Sequence, residues 1–240
     1  MMRKTILIYC WLLTPIALLA YHYGPGQSGL ARDAGAEKTA LAAQLEQSED
    51  WSGAMNAYAD ALSKMPATDQ AARWQVRLAH GKARMHVGEL PEAIADMDGL
   101  LAEMEKGNAA AAQLNDVRTN LATAEYYAAW LMRLEGASAD EWTVQAESAR
   151  QHFRLLAEDA LKADPASARD PQENLEATVR LERIDLTELQ GLPLPKMCQG
   201  CKNVSQKCRS QCNGKCKKPG EKKPKDGRGA GAGEPPRGGS

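Results

Sequence analysis

Aromatic residues are scarce in this chain. They make up 5% of its 240 residues, and Phe occurs once. An all-β sandwich or barrel draws on aromatic and β-branched strands, so this composition disfavours one and favours helices. Histidine is nearly as sparse, with His22, His80, His86 and His152. No two of these lie four apart and no HExxH run occurs, so the zinc-protease signature is missing. A GxSxG elbow, a Walker loop and a GxGxxG following a strand are missing too. His80 and His86 read as packing or surface residues. The acidic residues scatter over helix surfaces and form no catalytic pair. The expected class is a non-enzymatic protein with no catalytic residues and no resident cofactor.

What is present is an ordinary globular balance, 43% hydrophobic and 25% charged. That length allows one large or two small domains with a real core. The net charge of −1 hides a split. From Lys196 to Ser240 there are 12 Lys/Arg and 3 Asp/Glu, a net of +9. The other 195 residues carry 18 basic and 28 acidic groups, a net of −10. An acidic body repels nucleic acid, so none is expected as a partner. Only the tail can approach an anionic lipid or an acidic protein surface.

The first residues, Met1-Met2-Arg3-Lys4, form a short positive stretch. Thr5–Tyr21 follows as 17 residues without a charge. A spanning helix needs roughly 20 apolar residues, with a range of about 17–25. A cleaved signal has a shorter apolar region and a small-x-small cleavage site. Leu18-Leu19-Ala20 is too bulky at its first position to serve. Trp11, Tyr21 and Tyr23 suit an interfacial belt, and Pro15 is tolerated inside a membrane helix. Residues 1–22 are therefore expected to be a single-pass inner-membrane anchor, with a cleaved signal as the alternative. The positive-inside rule keeps Arg3 and Lys4 in the cytoplasm and puts the bulk of the chain on the periplasmic side.

Residues 23–35 are Gly-rich and read as a linker. Residues 36–190 then carry a helical beat. On the segment from Glu49 to Pro66, Ala54 is followed by Tyr58, Ala61 and Pro66, with Trp51 opening the run. A small residue admits the partner helix, the aromatic fills the groove, and Pro closes the turn. Gly81 and Ala93, with Met97 and Leu100, echo the spacing 39 residues on. Leu114, Val117, Leu121, Ala124, Ala128 and Leu131 make a third stripe. Ser138 with Glu141 is a capping box, and Trp142, Ala146, Ala149, Phe153, Leu156 and Ala160 make a fourth stripe. A last helix is expected from Asp170, as N-cap, to about Gln190, capping the stack.

This pattern resembles the tetratricopeptide repeat, whose period is about 34 residues. The resemblance covers roughly Ala36 to Asp164. It implies an all-α, TPR-like α-solenoid of about seven helices with a concave groove for a protein partner. The repeat-packing residues on this reading are Trp51, Ala54, Tyr58, Ala61, Pro66, Gly81 and Ala93. A fainter resemblance joins the anchor, the repeats and the phrase Asn174-Leu175-Glu176-Ala177-Thr178-Val179-Arg180-Leu181. Together they are similar to the membrane-anchored accessory proteins of bacterial clusters pairing an AAA+ ATPase with von Willebrand A-domain proteins, including those that mature methanol dehydrogenase. That likeness implies an assembly factor. The cysteines depart from it.

Residues 191–240 form a basic tail. Cys198, Cys201, Cys208, Cys212 and Cys216 give C-x2-C-x6-C-x3-C-x3-C. The first pair suits a tetrahedral thiolate site, but the later spacings match neither a zinc ribbon nor a ferredoxin run. Disulfides are the alternative outside the cytoplasm, and an odd count leaves one thiol over. Disulfide and metal readings both stay open, as does a tail with neither. From Lys217 onward the Lys/Gly/Pro composition cannot bury a core and reads as disordered. The expected function is a membrane-anchored scaffold or assembly factor. The alternative is a periplasmic redox or metal-handling protein working through these cysteines. Sequence leaves the oligomeric state undetermined.

Overall fold

The computed structural model describes residues 2–23, 25–164 and 168–192, with side chains from Trp11 onward except Pro25. Among the described residues every regular element is a helix, and there are nine, where about seven preceded by an anchor helix were expected. They are α1 (Met2–Tyr23), α2 (Pro25–Gln47), α3 (Trp51–Lys64), α4 (Gln70–Val87), α5 (Leu90–Lys106), α6 (Ala111–Leu134), α7 (Ala139–Ala163), α8 (Arg169–Arg183) and α9 (Leu186–Gly191).

Local chemistry sets most of these bounds. Asp50 precedes α3 and accepts the Gly53 N–H at 2.9 Å, a side-chain cap. After Lys64 the chain turns extended at Met65, as the residue before a proline prefers. Gly88 ends α4 with φ +100°, a left-handed conformation open to glycine at little cost, and its N–H donates to the Arg84 carbonyl. At α7 the Glu141 carboxylate accepts from both the N–H and the hydroxyl of Ser138 at 2.8 Å. This is the reciprocal half of the capping box read from sequence.

Two expectations differ from the structure. Most of the stretch read as a linker is helical, because α2 begins at Pro25, and proline suits a first helical turn. The last helix is two: α8 starts at Arg169, one residue ahead of the expected Asp170 cap, and the run breaks at Ile184–Asp185 before α9. Among the described residues no helix is long and apolar enough to cross a membrane. From Trp11 to Tyr23 the chain offers only 13 residues, Pro15 and His22 among them. The charge-free run expected to span begins in the part of α1 whose side chains are not described.

Each helix packs mainly on its neighbours in the chain, so the layers form a serial stack; α4 also meets α6, and α9 folds back onto α6. Three core clusters follow in order. Ala42, Ala54, Ala57, Ala61 and Ala83 surround Tyr58 and Val76 between α2, α3 and α4. Trp74, Leu78, Met97, Leu100, Met104, Val117 and Leu121 fill the space between α4, α5 and α6. Tyr126, Trp130, Phe153, Leu156, Leu181 and Leu189 close the C-terminal end.

Candidate functional site

Among the described residues the helical stack opens a cleft of about 210 Å³, where α4 passes α6 and the end of α5 lies between them. Its floor is Trp74, Leu78, Met104 and Val117, all buried, and its rim is Gln75, Ala112, Gln113 and Asp116. Trp74 is fixed on two sides. Its indole N–H donates to Glu103 Oε1 at 2.8 Å. Its ring lies so close to Gly107 that a Cβ there would sit 2.9 Å from it. Arg77 joins the same Glu103 carboxylate, and the Trp74 and Arg77 hydrogen bonds hold that carboxyl below the usual range. Asn120 donates to the Asp116 carbonyl at 2.7 Å, one turn along α6. An apolar floor with amide edges accepts one apolar side chain and offers hydrogen bonds to the backbone on either side of it.

The sequence-predicted packing residues fall in the seams below this cleft. Ala54, Tyr58 and Ala61 are buried on α3, against α2 and α4. Burial raises the Tyr58 hydroxyl pKa, and the adjacent Glu46 carboxylate, which accepts its hydrogen bond, adds to the rise. Gly81 is buried on α4, where an added Cβ would stand 3.1 Å from Met97 Cγ, and Ala93 is fully buried on α5. Trp51 is half-buried and stacks on His86 with ring centroids 3.8 Å apart. Burial and then Lys82 lower the His86 pKa. Pro66 is half-buried in the α3–α4 connection. These residues hold helices together and do not line the cleft. The five cysteines of the tail lie outside the described residues. Among the described residues no group of His, Cys, Asp and Glu could hold a metal ion.

One polar cluster escaped the sequence reading. Glu125 lies mid-way along α6 and is 5% exposed. Ser148 Oγ, from α7, donates to its Oε1 at 2.6 Å. His152, one turn further along α7, brings Nε2 to 3.9 Å from Oε2. Neither Glu125 Oε2 nor His152 Nδ1 has a hydrogen-bond partner among the described residues. Burial pushes the Glu125 carboxyl up to about 7; the Ser148 hydrogen bond opposes this and Asp98 adds to it. Burial and then Arg118 lower the His152 pKa. The serine bonds the carboxylate and not the imidazole, so this order of groups does not activate it as a nucleophile. The readable signal was a lone charge in Leu121–Trp130, facing Ser148 and His152 spaced four apart on the next helix.

Comparison with known family models, curated proteins and solved structures gives no match to this chain.

Proposed function

We propose that the chain is a non-enzymatic scaffold that takes a short segment of a partner protein into the cleft between α4 and α6. The observation that carries this reading is the cleft itself, with a rigidly held apolar floor and an amide-edged rim. Serial packing of helices supports a TPR-like solenoid, in which such a groove is the binding face. The resemblance at Asn174–Leu181 supports an assembly role.

Anchoring to the inner membrane, with the stack on the periplasmic side, belongs to the same proposal. Arg3 and Lys4 precede the charge-free run. Trp11, Leu12, Leu13, Ile16, Leu18 and Leu19 of α1 are each more than half exposed, an apolar surface of the kind that lipid covers. A redox or metal-handling role is the second reading, and Cys198–Cys216 is the feature that favours it.

The test fills the cleft without touching the core. Ala112 is exposed on the rim, and Ala112→Trp should block the space above Val117. Partner capture by the full chain should fall at least tenfold with melting unchanged, a loss of about 1.4 kcal/mol or more in binding. Capture equal to that of the unsubstituted chain would contradict the proposal.

A further inference from the structure

Glu125 has no counterpart elsewhere in the stack. It is the one buried acidic side chain among the described residues, and one of its oxygens faces an imidazole without a hydrogen bond between them. A carboxylate in that position has a single donor, Ser148, and sits in surroundings that penalise charge. The neutral acid carries no such penalty, and the ion pair with a protonated His152 softens it. Either way the pair is best served by one proton.

We propose that Glu125, Ser148 and His152 form a proton-operated latch between α6 and α7, closed while the pair holds a proton and loosened when it is lost.

The groups around the latch agree with this polarity. From α5, Asp98 and Glu105 face it, and both disfavour a second negative charge there. From α6, Arg118 faces His152 and is engaged with Glu105 at 2.9 Å. On α7 itself, Glu147 is held by Arg150 and Gln151 at 2.6 and 2.5 Å. The α8 carboxylate Glu182 is drawn to Arg150 at 3.7 Å, on the neighbouring turn. Among the described residues the cation-forming partner of Glu125 is His152, with Nε2 3.9 Å from Oε2.

The direction with pH follows from proton linkage. Unfolded, Glu125 titrates near 4.5; folded, it keeps its proton to about 7. The folded chain therefore binds the extra proton between these values, and the latch tightens as pH falls through that window. His152 acts with the opposite sign. Its pKa lies below the ordinary 6.5 when folded, so its contribution weakens as pH falls below 6.5. Since α6 also carries Ala112, Gln113, Asp116 and Val117, a looser α6–α7 seam displaces one wall of the cleft. That consequence alone rests on the scaffold reading.

The experiment compares the full-length chain with Glu125→Gln and His152→Gln by equilibrium unfolding at several pH values. Relative to Glu125→Gln, the folding constant of the unsubstituted chain should rise about tenfold from about pH 8.5 to about pH 6. Relative to His152→Gln it should fall over the same interval. A ratio to Glu125→Gln that does not change with pH would overturn the latch. Carbon NMR of the Glu125 carboxyl in the unsubstituted chain decides the matter even if a variant fails to fold. A midpoint near 7 supports the latch, and one in the ordinary glutamate range overturns it. Failure here leaves the Ala112→Trp result standing, because that test does not depend on Glu125.

Discussion

The two ends of the stack are built from different materials. Between α2, α3 and α4 the seam is alanine, with Ala42, Ala54 and Ala61 fully buried around Tyr58. Between α6, α7, α8 and α9 alanines are buried too, Ala122, Ala129, Ala146 and Ala149 among them, but they stand beside bulk. Phe153 and Leu189 are fully buried with Tyr126, Trp130 and Leu181, and Glu125, Asn174 and Thr178 are also inside. The first seam gains by bringing backbones close, and each alanine removes little surface from water. The second gains by burying aromatic and aliphatic bulk, roughly 1.5–3 kcal/mol for each large side chain. One end should therefore suffer most when a side chain is enlarged, and the other when one is removed.

Substitutions that break this contrast can be ranked. Phe153→Ala should have the largest effect, about 3–5 kcal/mol of lost stability by denaturant unfolding, because the ring is fully buried in the C-terminal cluster and its removal leaves a cavity. A cost under about 1 kcal/mol would mean that the C-terminal seam does not depend on packed bulk. Next, Ala54→Leu should cost about 1–3 kcal/mol, since Ala54 is fully buried in the alanine seam and leaves no room for a larger side chain. If that change proved neutral, close approach would not be what holds α3 to its neighbours. Tyr58→Phe is milder, at about 1 kcal/mol, as it removes only the hydroxyl that donates to Glu46. Smallest is Arg154→Ala, within about 0.5 kcal/mol, because its partner Glu158 and its own side chain are both half exposed. Melting temperatures of the four variants side by side would sharpen the contrast or remove it.

Much of the fold was legible because it is local. Ala54, Tyr58 and Ala61 share one helical face, and that face is buried. Ser138 and Glu141 announce the start of α7 three residues apart, and Gly88 marks the end of α4. What escaped depends on partners distant in sequence. The break between α8 and α9 is held by Arg133, whose guanidinium takes the carbonyls of Leu181 and Ile184, the latter at 2.8 Å, from about fifty residues away. Asp185 then starts α9 by accepting the Leu186 N–H at 2.8 Å. The helical start at Pro25 escaped because Gly26, Gly29 and Gly35 all lower helix propensity. Gly35 is nonetheless buried against Met65, where an added Cβ would collide with the side chain.

The candidate site divides the same way. The resemblance to tetratricopeptide repeats implies a groove, and the residues of the cleft come from three helices whose registry no spacing announces. Trp74 reads as one more apolar position, and only Glu103 and Gly107 make it a fixed wall. Glu125 looks in sequence like a surface charge. Its burial is decided by Ser148 and His152 across the seam.

The central claim is that the α4–α6 cleft holds a protein segment. The most direct measurement places a photo-crosslinking side chain at Ala112, on the rim, and separately at the exposed Ala95 of α5, in the full-length chain in cells. The expected result is a single adduct of defined mass from position 112, lost when Gln75→Trp fills the cleft and not seen from position 95. Equal adducts from both positions, or an adduct at 112 indifferent to filling the cleft, would contradict the claim.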